Sequence, residues 1–472
     1  MTVQPQDSTR VPIITWGKRA VTSQNAMYFW VLVALVLTVG SGVATLDGPF
    51  VGPHAWVSAH FSVMARTFVD SGLTVLGPLP IQNNPPQGTS PDGYTHWPPL
   101  FPLLLAVVFK SVGESEASAR GFVLLIVLAN SFALAFLLRP ALRLVAVLFA
   151  VFAYLCLPVL LKYGDLVAHL HLAIFWMLVS LGAFLRATGG SRIRVGWAAA
   201  GLVTMFLAVL SSWEPVIACL GLLVAGLWTR RREMIRLALW YCAIAAGTAT
   251  AVIAVYMAMD PSLLSELWHV FLFRIGAVPT HHIGTISERP SLLDVIMTYW
   301  WRLNLLGPLG TLSAASVLLT GWFLKRRQYN HRATTLFCGL FAPPIIWYVF
   351  FWGHAFPHGY EMLLVAPAVA ASVGLCMGWL AGLFARYYSQ IDVRHVLSIC
   401  LFILLPLVML RPLVVNVRER IVEPESDTAI LQHSLAIRSG TEPGSVVISP
   451  HRSRVVTYYS ERRIIHGVDH DS

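Results

Sequence analysis

The chain has 472 residues, of which 56% are apolar and only 12% charged. Soluble domains carry roughly 25% charged residues, so a soluble globule is excluded. The net charge of +10 sits mostly in short loops between apolar runs, which is a topology signal and argues against nucleic acid as a partner. Apolar runs of about 18 or more residues read as membrane spans, and about eleven recur here. The expectation is an all-α polytopic membrane protein. The six cysteines fall inside apolar runs with no CxxC spacing, so neither a disulfide framework nor a cysteine-ligated metal is expected.

Residues 1–26 form a polar leader whose Arg10, Lys18 and Arg19 keep it cytoplasmic. The first span, 27–45, ends without a small-residue cleavage site and reads as retained. An outer loop over 46–120 follows. Loops beyond about 12–15 residues are usually functional or disordered, and this one is too rich in Trp, Tyr and His to be disordered. Within it Val57, Phe61, Met64 and Phe68 recur at helical spacing, with Ser58, Ser62 and Arg66 opposite. That pattern predicts an amphipathic interfacial helix with its apolar stripe in lipid. The apolar run 98–112 is short for a span and is interrupted by Pro102 and Lys110. The later basic clusters lie at Arg139/Arg143, Arg186/Arg192/Arg194, Arg230 to Arg236, Lys325 to Arg332 and Arg386/Arg394. All can be cytoplasmic only if 98–112 does not cross, so it is expected to be re-entrant or interfacial.

The remaining spans are expected at 121–138, 143–162, 166–186, 195–211, 214–229, 237–259, 303–324, 333–352, 360–384 and 395–411. The transmembrane body is then 27–417, with a second long outer loop over 260–302 and an extracytoplasmic tail over 418–472. In the tail, VVIS and SRVVTYYSERRIIHGV suggest a small strand-containing fragment. No repeat of 20–50 residues is evident.

This topology collects the histidines and candidate carboxylates on the outer face. Asp47 is either a general base at the membrane surface or a turn residue in LDGP. His54 is a candidate base or phosphate donor. His60 fits better as the polar side of the interfacial helix, and Trp56 as an interface anchor. Arg66, His96, Arg274 and His358 are cations at headgroup level that could grip a phosphate or pair with lipid headgroups. Asp165, Glu214 and Glu361 stand at span ends, where ionisable groups are functional by default; for Asp165, capping a helix N-terminus is the rival reading. His281-His282 with Glu288 could ligate a metal, although the spacing is not diagnostic.

Several stretches, in order, resemble the glycosyltransferase C superfamily, with the protein O-mannosyltransferases and lipid A aminoarabinose transferases nearest. MARTFVDSG is similar to the family's A-R-x-x-x-x-x-G helix. YTHWPPLFPLLLAVVFKSVGESEASAR resembles its K-P-P-L…G-x-x-x-x-x-x-R stretch. Asp165 stands where the family has an Asp at the outer start of a span. FLFRIG resembles its aromatic-Arg element, FPHGYEMLLVAPAVA its P-x-x-Y-x-x-x-x-x-P motif, and VVTYYSERRIIHGV a tail of bacterial members. Two departures stand out. The family's Asp-Glu pair is here Asp47 followed by GPHAW, and its Lys before Pro-Pro is His96-Trp97.

The resemblance implies a polyprenyl-phosphate sugar donor in the membrane lipid, an extracytoplasmic acceptor, and inversion at the anomeric carbon. It assigns the base to Asp47 with His54 as rival, and substrate binding to Arg66, Tyr94, His96, Asp165, Glu214, Arg274, His358 and Tyr360. It requires no cofactor, is compatible with a divalent metal, and places the protein in a bacterial inner membrane with its site facing the periplasm. The competing reading is a transporter or flippase for a lipid-linked sugar. Transporters show internal repeats and midplane polar groups, and this sequence shows neither.

Overall fold

The computed structural model describes residues 18–51, 54–72, 77–83, 93–278, 291–306, 331–387, 410, 414, 428–449 and 454–466. The polar run 84–92, the histidine pair at 281–282 with Glu288, and most of the expected spans 303–324 and 395–411 lie outside the described residues. Among the described residues, stretches long and apolar enough to cross a membrane are Glu116–Leu138, His169–Ala187, Arg232–Met259, His331–Phe350 and Gly359–Gly378. Shorter apolar helices cover Met27–Val43, Leu100–Val112, Leu144–Leu155, Val195–Ser211 and Glu214–Thr229. This is a multi-pass membrane protein built almost wholly of helix.

Helix α1 (Lys18–Val43) leads into the outer loop, which carries α2 (Ala55–Ser71) and α3 (Leu100–Val112). Helix α4 (Glu116–Leu138) opens with a reciprocal Ser115–Ser118 capping box that fixes its first turn and sets Arg120 there. The expected span 143–162 is broken. Helix α5 (Leu144–Leu155) stops, Leu157 is extended, and α6 (Pro158–Tyr163) restarts with proline in its first turn. A residue before proline is driven out of the helical region, and proline itself favours a helix start. The break brings Asp165 to the end of the bundle where Thr45 and Arg120 lie, with Lys162 and Tyr163 just before it. Helices α7 (His169–Ala187), α8 (Val195–Ser211), α9 (Glu214–Thr229) and α10 (Arg232–Met259) follow, packed α7 on α4 and α8, and α9 on α10.

The second outer loop holds α11 (Leu263–Arg274) and α12 (Leu292–Arg302). Helix α13 (His331–Phe350) packs on α9. The one-turn α14 (Trp352–Ala355) and a 3-10 turn over Gly359–Leu364 lead into α15 (Ala366–Tyr387), which packs on α5.

The start and end of the first outer loop meet. Arg120, at the start of α4, donates to the carbonyls of Thr45 (2.9 Å), Leu46 (3.1 Å), Gly48 and Pro49 (2.9 Å), just beyond α1. At 13 residues, α3 is about 20 Å long, short of the roughly 30 Å hydrocarbon core.

Helix α2 departs from expectation. Instead of an apolar stripe in lipid, both its faces are buried from Val57 to Ala65, packed on α3 and on the C-terminal tail. Ser58, on the expected wet face, accepts the Val167 N–H at 3.0 Å. His60 is likewise buried, with neither ring nitrogen hydrogen-bonded among the described residues.

The tail has helix α16 (Thr428–Gly440), strand β1 (Val446–Ser449), helix α17 (Arg454–Ser460) and strand β2 (Arg463–His466), with β1 and β2 parallel. RVVTYYS, which reads as strand from its β-branched residues, is helical. Packing against α2 overrides a propensity difference that is weak for any single residue.

Candidate functional site

The first part of the site is the corner that carries Asp47. Arg120 hydrogen-bonds carbonyls on both sides of Asp47, stacks 4.9 Å over Phe50, and places Nε 3.6 Å from Asp165 Oδ2. The same Asp165 oxygen accepts from Thr45 Oγ1 at 3.3 Å. Asp47 stays exposed and makes no side-chain hydrogen bond or ion pair among the described residues. Asp165 is therefore not the cap of the following helix, which begins at His169 after Ala168. It neutralises the guanidinium that shapes the Asp47 loop.

The second part gathers rings around His54. This residue precedes α2 at φ 62° and ψ 18°, the left-handed region that non-glycine residues rarely adopt outside turns and functional sites. Its ring lies 5.1 Å from Tyr360, 5.8 Å from Tyr163 and 6.0 Å from His358. Trp56, half-exposed, stands 5.9 Å from His358. Burial, with help from Arg302 and Lys162, lowers the His54 pKa to about 4, so the imidazole is neutral near pH 7. Burial first, then the neighbouring His354 and His54, hold His358 well below the usual histidine range.

The third part is a buried floor. Arg274 donates to the His96 carbonyl at 2.8 Å and lies 4.1 Å over the Trp97 ring. Trp97 stacks on His169 at 4.1 Å. Trp213 Nε1 donates to the same His96 carbonyl at 2.8 Å. His354 Nε2 meets Glu361 Oε1 at 3.1 Å, and its ring is 4.5 Å from His358. Ser212 donates to Glu214 Oε2. The charges of Glu214 and Glu361 both reach Arg274. Several polar atoms here have no hydrogen-bond partner among the described residues: Glu214 Oε1, Arg274 Nε, His358 Nδ1 and both nitrogens of His169.

Two glycines make this junction possible. A Cβ at Gly353 would collide with the Phe273 carbonyl, and one at Gly276 (φ +73°) with the Trp352 ring. FLFRIG and WGH therefore interlock backbone to backbone, which fixes Arg274 relative to His354.

The structure brings His54, Tyr94, His96, Glu214, Arg274, His358 and Tyr360 into one connected region. Tyr94 joins it through rings 4.5 Å from His60 and 4.8 Å from His96. His96 contributes its backbone carbonyl to the floor, while its ring faces Glu266 at 3.5 Å. Arg66 does not join. Its Nε donates to Glu114 at 2.7 Å, NH1 donates to the Tyr458 carbonyl at 3.1 Å, and the guanidinium covers the Tyr458 ring. It ties α2 to the tail.

Sequence reasoning passed over Arg120, Arg302 and the His354–Glu361 pair. Arg120 closes the G-x-x-x-x-x-x-R spacing from Gly113, and Glu361 was visible at a span end. Only the fold pairs it with His354. Among the described residues, no three His, Cys, Asp or Glu side chains gather as a metal site.

No family profile and no curated protein matches this sequence. Solved structures do match. ArnT from Cupriavidus metallidurans in the apo state superposes with a TM-score of 0.62 at 17% identity over 95% of this chain and 87% of ArnT. ArnT bound to undecaprenyl phosphate gives 0.56 at 15% identity, over 94% and 86%. The Archaeoglobus fulgidus oligosaccharyltransferase AglB, in complex with an inhibitory peptide and a dolichol-phosphate, gives 0.60 at 14% identity over 93% of this chain, which spans 64% of AglB. The chain shares the fold of these structures.

Proposed function

We propose that this protein is a membrane glycosyltransferase that moves a sugar, with inversion, from a polyprenyl-phosphate donor to an extracytoplasmic glycan, lipid or protein. The carrying observation is the ring of histidines and tyrosines around His54, joined through His358 and His354 to the buried floor that holds Arg274. Support for the donor comes from ArnT and AglB, each seen with a lipid phosphate. The site faces the outside of a bacterial inner membrane, under a topology of about eleven spans set by the basic loops.

Asp47 is the base. Arg120 fixes the backbone on either side of it and leaves its carboxylate unpaired, the arrangement of a preorganised proton acceptor. His54, neutral and beside Tyr360, is the rival for that role. A sugar phosphate is already a good leaving group, so the rest of the site need only stabilise the departing charge, and Arg274, Tyr360 and His358 are placed for that. A divalent metal on the phosphate is compatible with this scheme, and none of the steps above relies on one.

The test is transfer of radiolabelled sugar from a panel of polyprenyl-phosphate sugars in membranes. Turnover by wild type that only Asp47→Asn abolishes supports the base assignment. Loss only in His54→Ala moves the base to histidine. A folded wild type that consumes no donor would make a flippase for the lipid-linked sugar the better reading.

A further inference from the structure

Helix α12 docks on the rest of the protein by its more polar side. Val295, Thr298, Tyr299 and Arg302 share one face of the helix, and all four are half-buried. The Tyr299 hydroxyl donates to the Tyr348 carbonyl at 3.3 Å, with the two rings 5.1 Å apart. Arg302 donates through both terminal nitrogens to the carbonyls of Ala355 and Phe356. The opposite face consists of Leu293, Ile296, Met297, Trp300 and Trp301, which are 65%, 53%, 56%, 70% and 74% exposed. A helix that borders water turns its charged face outward, and α12 does the reverse. Asp294 stands at the rim of the apolar face, where its carboxylate accepts the Ser291 N–H at 2.9 Å and the Ser291 hydroxyl at 2.7 Å.

The position of α12 identifies what covers that face. Its 11 residues extend about 16 Å, too short for the roughly 30 Å hydrocarbon core. Tyr348 belongs to the last turn of α13, a helix long and apolar enough to cross a membrane, so α12 lies at the level where that span ends. Beside Tyr348, the side chains of Ile345, Val349 and Phe350 are more than half exposed. The apolar face of α12 thus continues the exposed side of a span. From α11, Trp268 and Phe271 extend the same surface, stacked at 5.5 Å, with Phe271 6.4 Å from Phe351. A contiguous apolar surface of this kind marks a protein or a membrane contact. Its continuity with a span and its tryptophans, which favour the level of the headgroups, select lipid.

We propose that α12 lies in the membrane interface with Leu293, Ile296, Met297, Trp300 and Trp301 seated in lipid. The interfacial role that the sequence suggests for α2 then falls to the second long loop. Arg302 ties Ala355 and Phe356, just before His358, to an element held at the lipid surface.

The experiment reconstitutes the full chain in vesicles of phosphatidylcholine and phosphatidylglycerol, with a nitrobenzoxadiazole label on Met297→Cys or Trp301→Cys. Wild type treated in the same way gives the background from the native cysteines. Both positions are exposed, so neither substitution should disturb folding. An interfacial helix buries its apolar face about 5–10 Å into the boundary between headgroups and acyl chains. Nitroxide near the headgroup end of the acyl chains should therefore quench both labels more than nitroxide at the chain terminus, and iodide in water should quench them little. Adding Trp300→Glu and Trp301→Glu to the Met297→Cys chain should reverse the preference between lipid nitroxide and iodide. Quenching of the parent labels by iodide alone would overturn the proposal, because the face would be in water. Quenching by neither would also overturn it, because protein, a second copy included, would cover the helix. Lipid quenching unchanged by the two glutamates would remove the tryptophans as its anchors and overturn the seat as stated.

Discussion

The corner around Asp47 and the floor around Arg274 are built on opposite terms. At the corner Arg120 is engaged with four carbonyls and with Asp165, and Asp165 takes the Thr45 hydroxyl as well. The one group left over, the Asp47 carboxylate, faces outward. On the floor Glu214, the Arg274 guanidinium and several imidazoles are buried with polar atoms unpaired among the described residues. Native proteins leave few such atoms, because in a low-dielectric interior each is costly. The corner is a scaffold that aims a residue. The floor keeps polar capacity in reserve, which is how a site that must stabilise a transient charge differs from one that only holds shape.

Breaking the corner should give the largest effect. Arg120→Leu orphans backbone carbonyls and leaves Asp165 as an uncompensated charge, and removal of one member of a buried pair typically costs about 3–5 kcal/mol. The melting temperature of the purified protein should drop sharply and turnover should vanish with it. A variant that melts normally would show that the loop is held by something other than Arg120.

The floor should respond the other way. Glu361→Gln replaces the carboxyl group that meets His354 Nε2 with an amide of the same shape. Stability should hold or rise. Turnover should fall on the order of a hundredfold, because His354, and through it His358, loses its orienting partner. Marked destabilisation with turnover intact would reduce the floor to packing.

Acid separates the two regions as well. His54, His354 and His358 are held below the usual histidine range, chiefly by burial. They stay neutral in the folded protein, while the unfolded chain binds protons below about pH 6.5. The folded state thus holds fewer protons there, so stability falls as the pH drops from about 6.5 toward 4. Thermal melts between about pH 7 and pH 5 should show this decline, and His358→Gln should shallow it. A flat profile would mean that these histidines are more open to water than their burial implies.

Much of the frame was legible in the sequence because it depends on local signals. Apolar runs gave most of the helices, and the short apolar run at 98–112 gave α3. What stayed hidden depends on tertiary choices. The proline restart at Pro158 looked like the interior of one span, and Val455-Val456-Thr457 looked like strand until α2 was present to pack on. Arg66 and Arg274 look alike as loop arginines. One is spent on Glu114 because the Ser115 cap brings that turn under α2. The other is walled in by Gly276 and Gly353, whose missing side chains no periodicity reveals.

The smallest effect concerns how the tail shares in holding the corner. The Tyr459 hydroxyl accepts the Phe50 N–H at 2.6 Å and donates to Glu116 at 2.7 Å, so it joins the two ends of the first outer loop from outside. Tyr459→Phe removes both bonds and leaves the ring in place, which should cost about 1 kcal/mol. Because Arg120 grips the same loop from inside, the acceptor KM and turnover should shift only a fewfold. A loss as deep as that of Arg120→Leu would mean that the tail, rather than the arginine, aims Asp47. Truncation before α16 should then abolish activity while leaving the helical bundle folded.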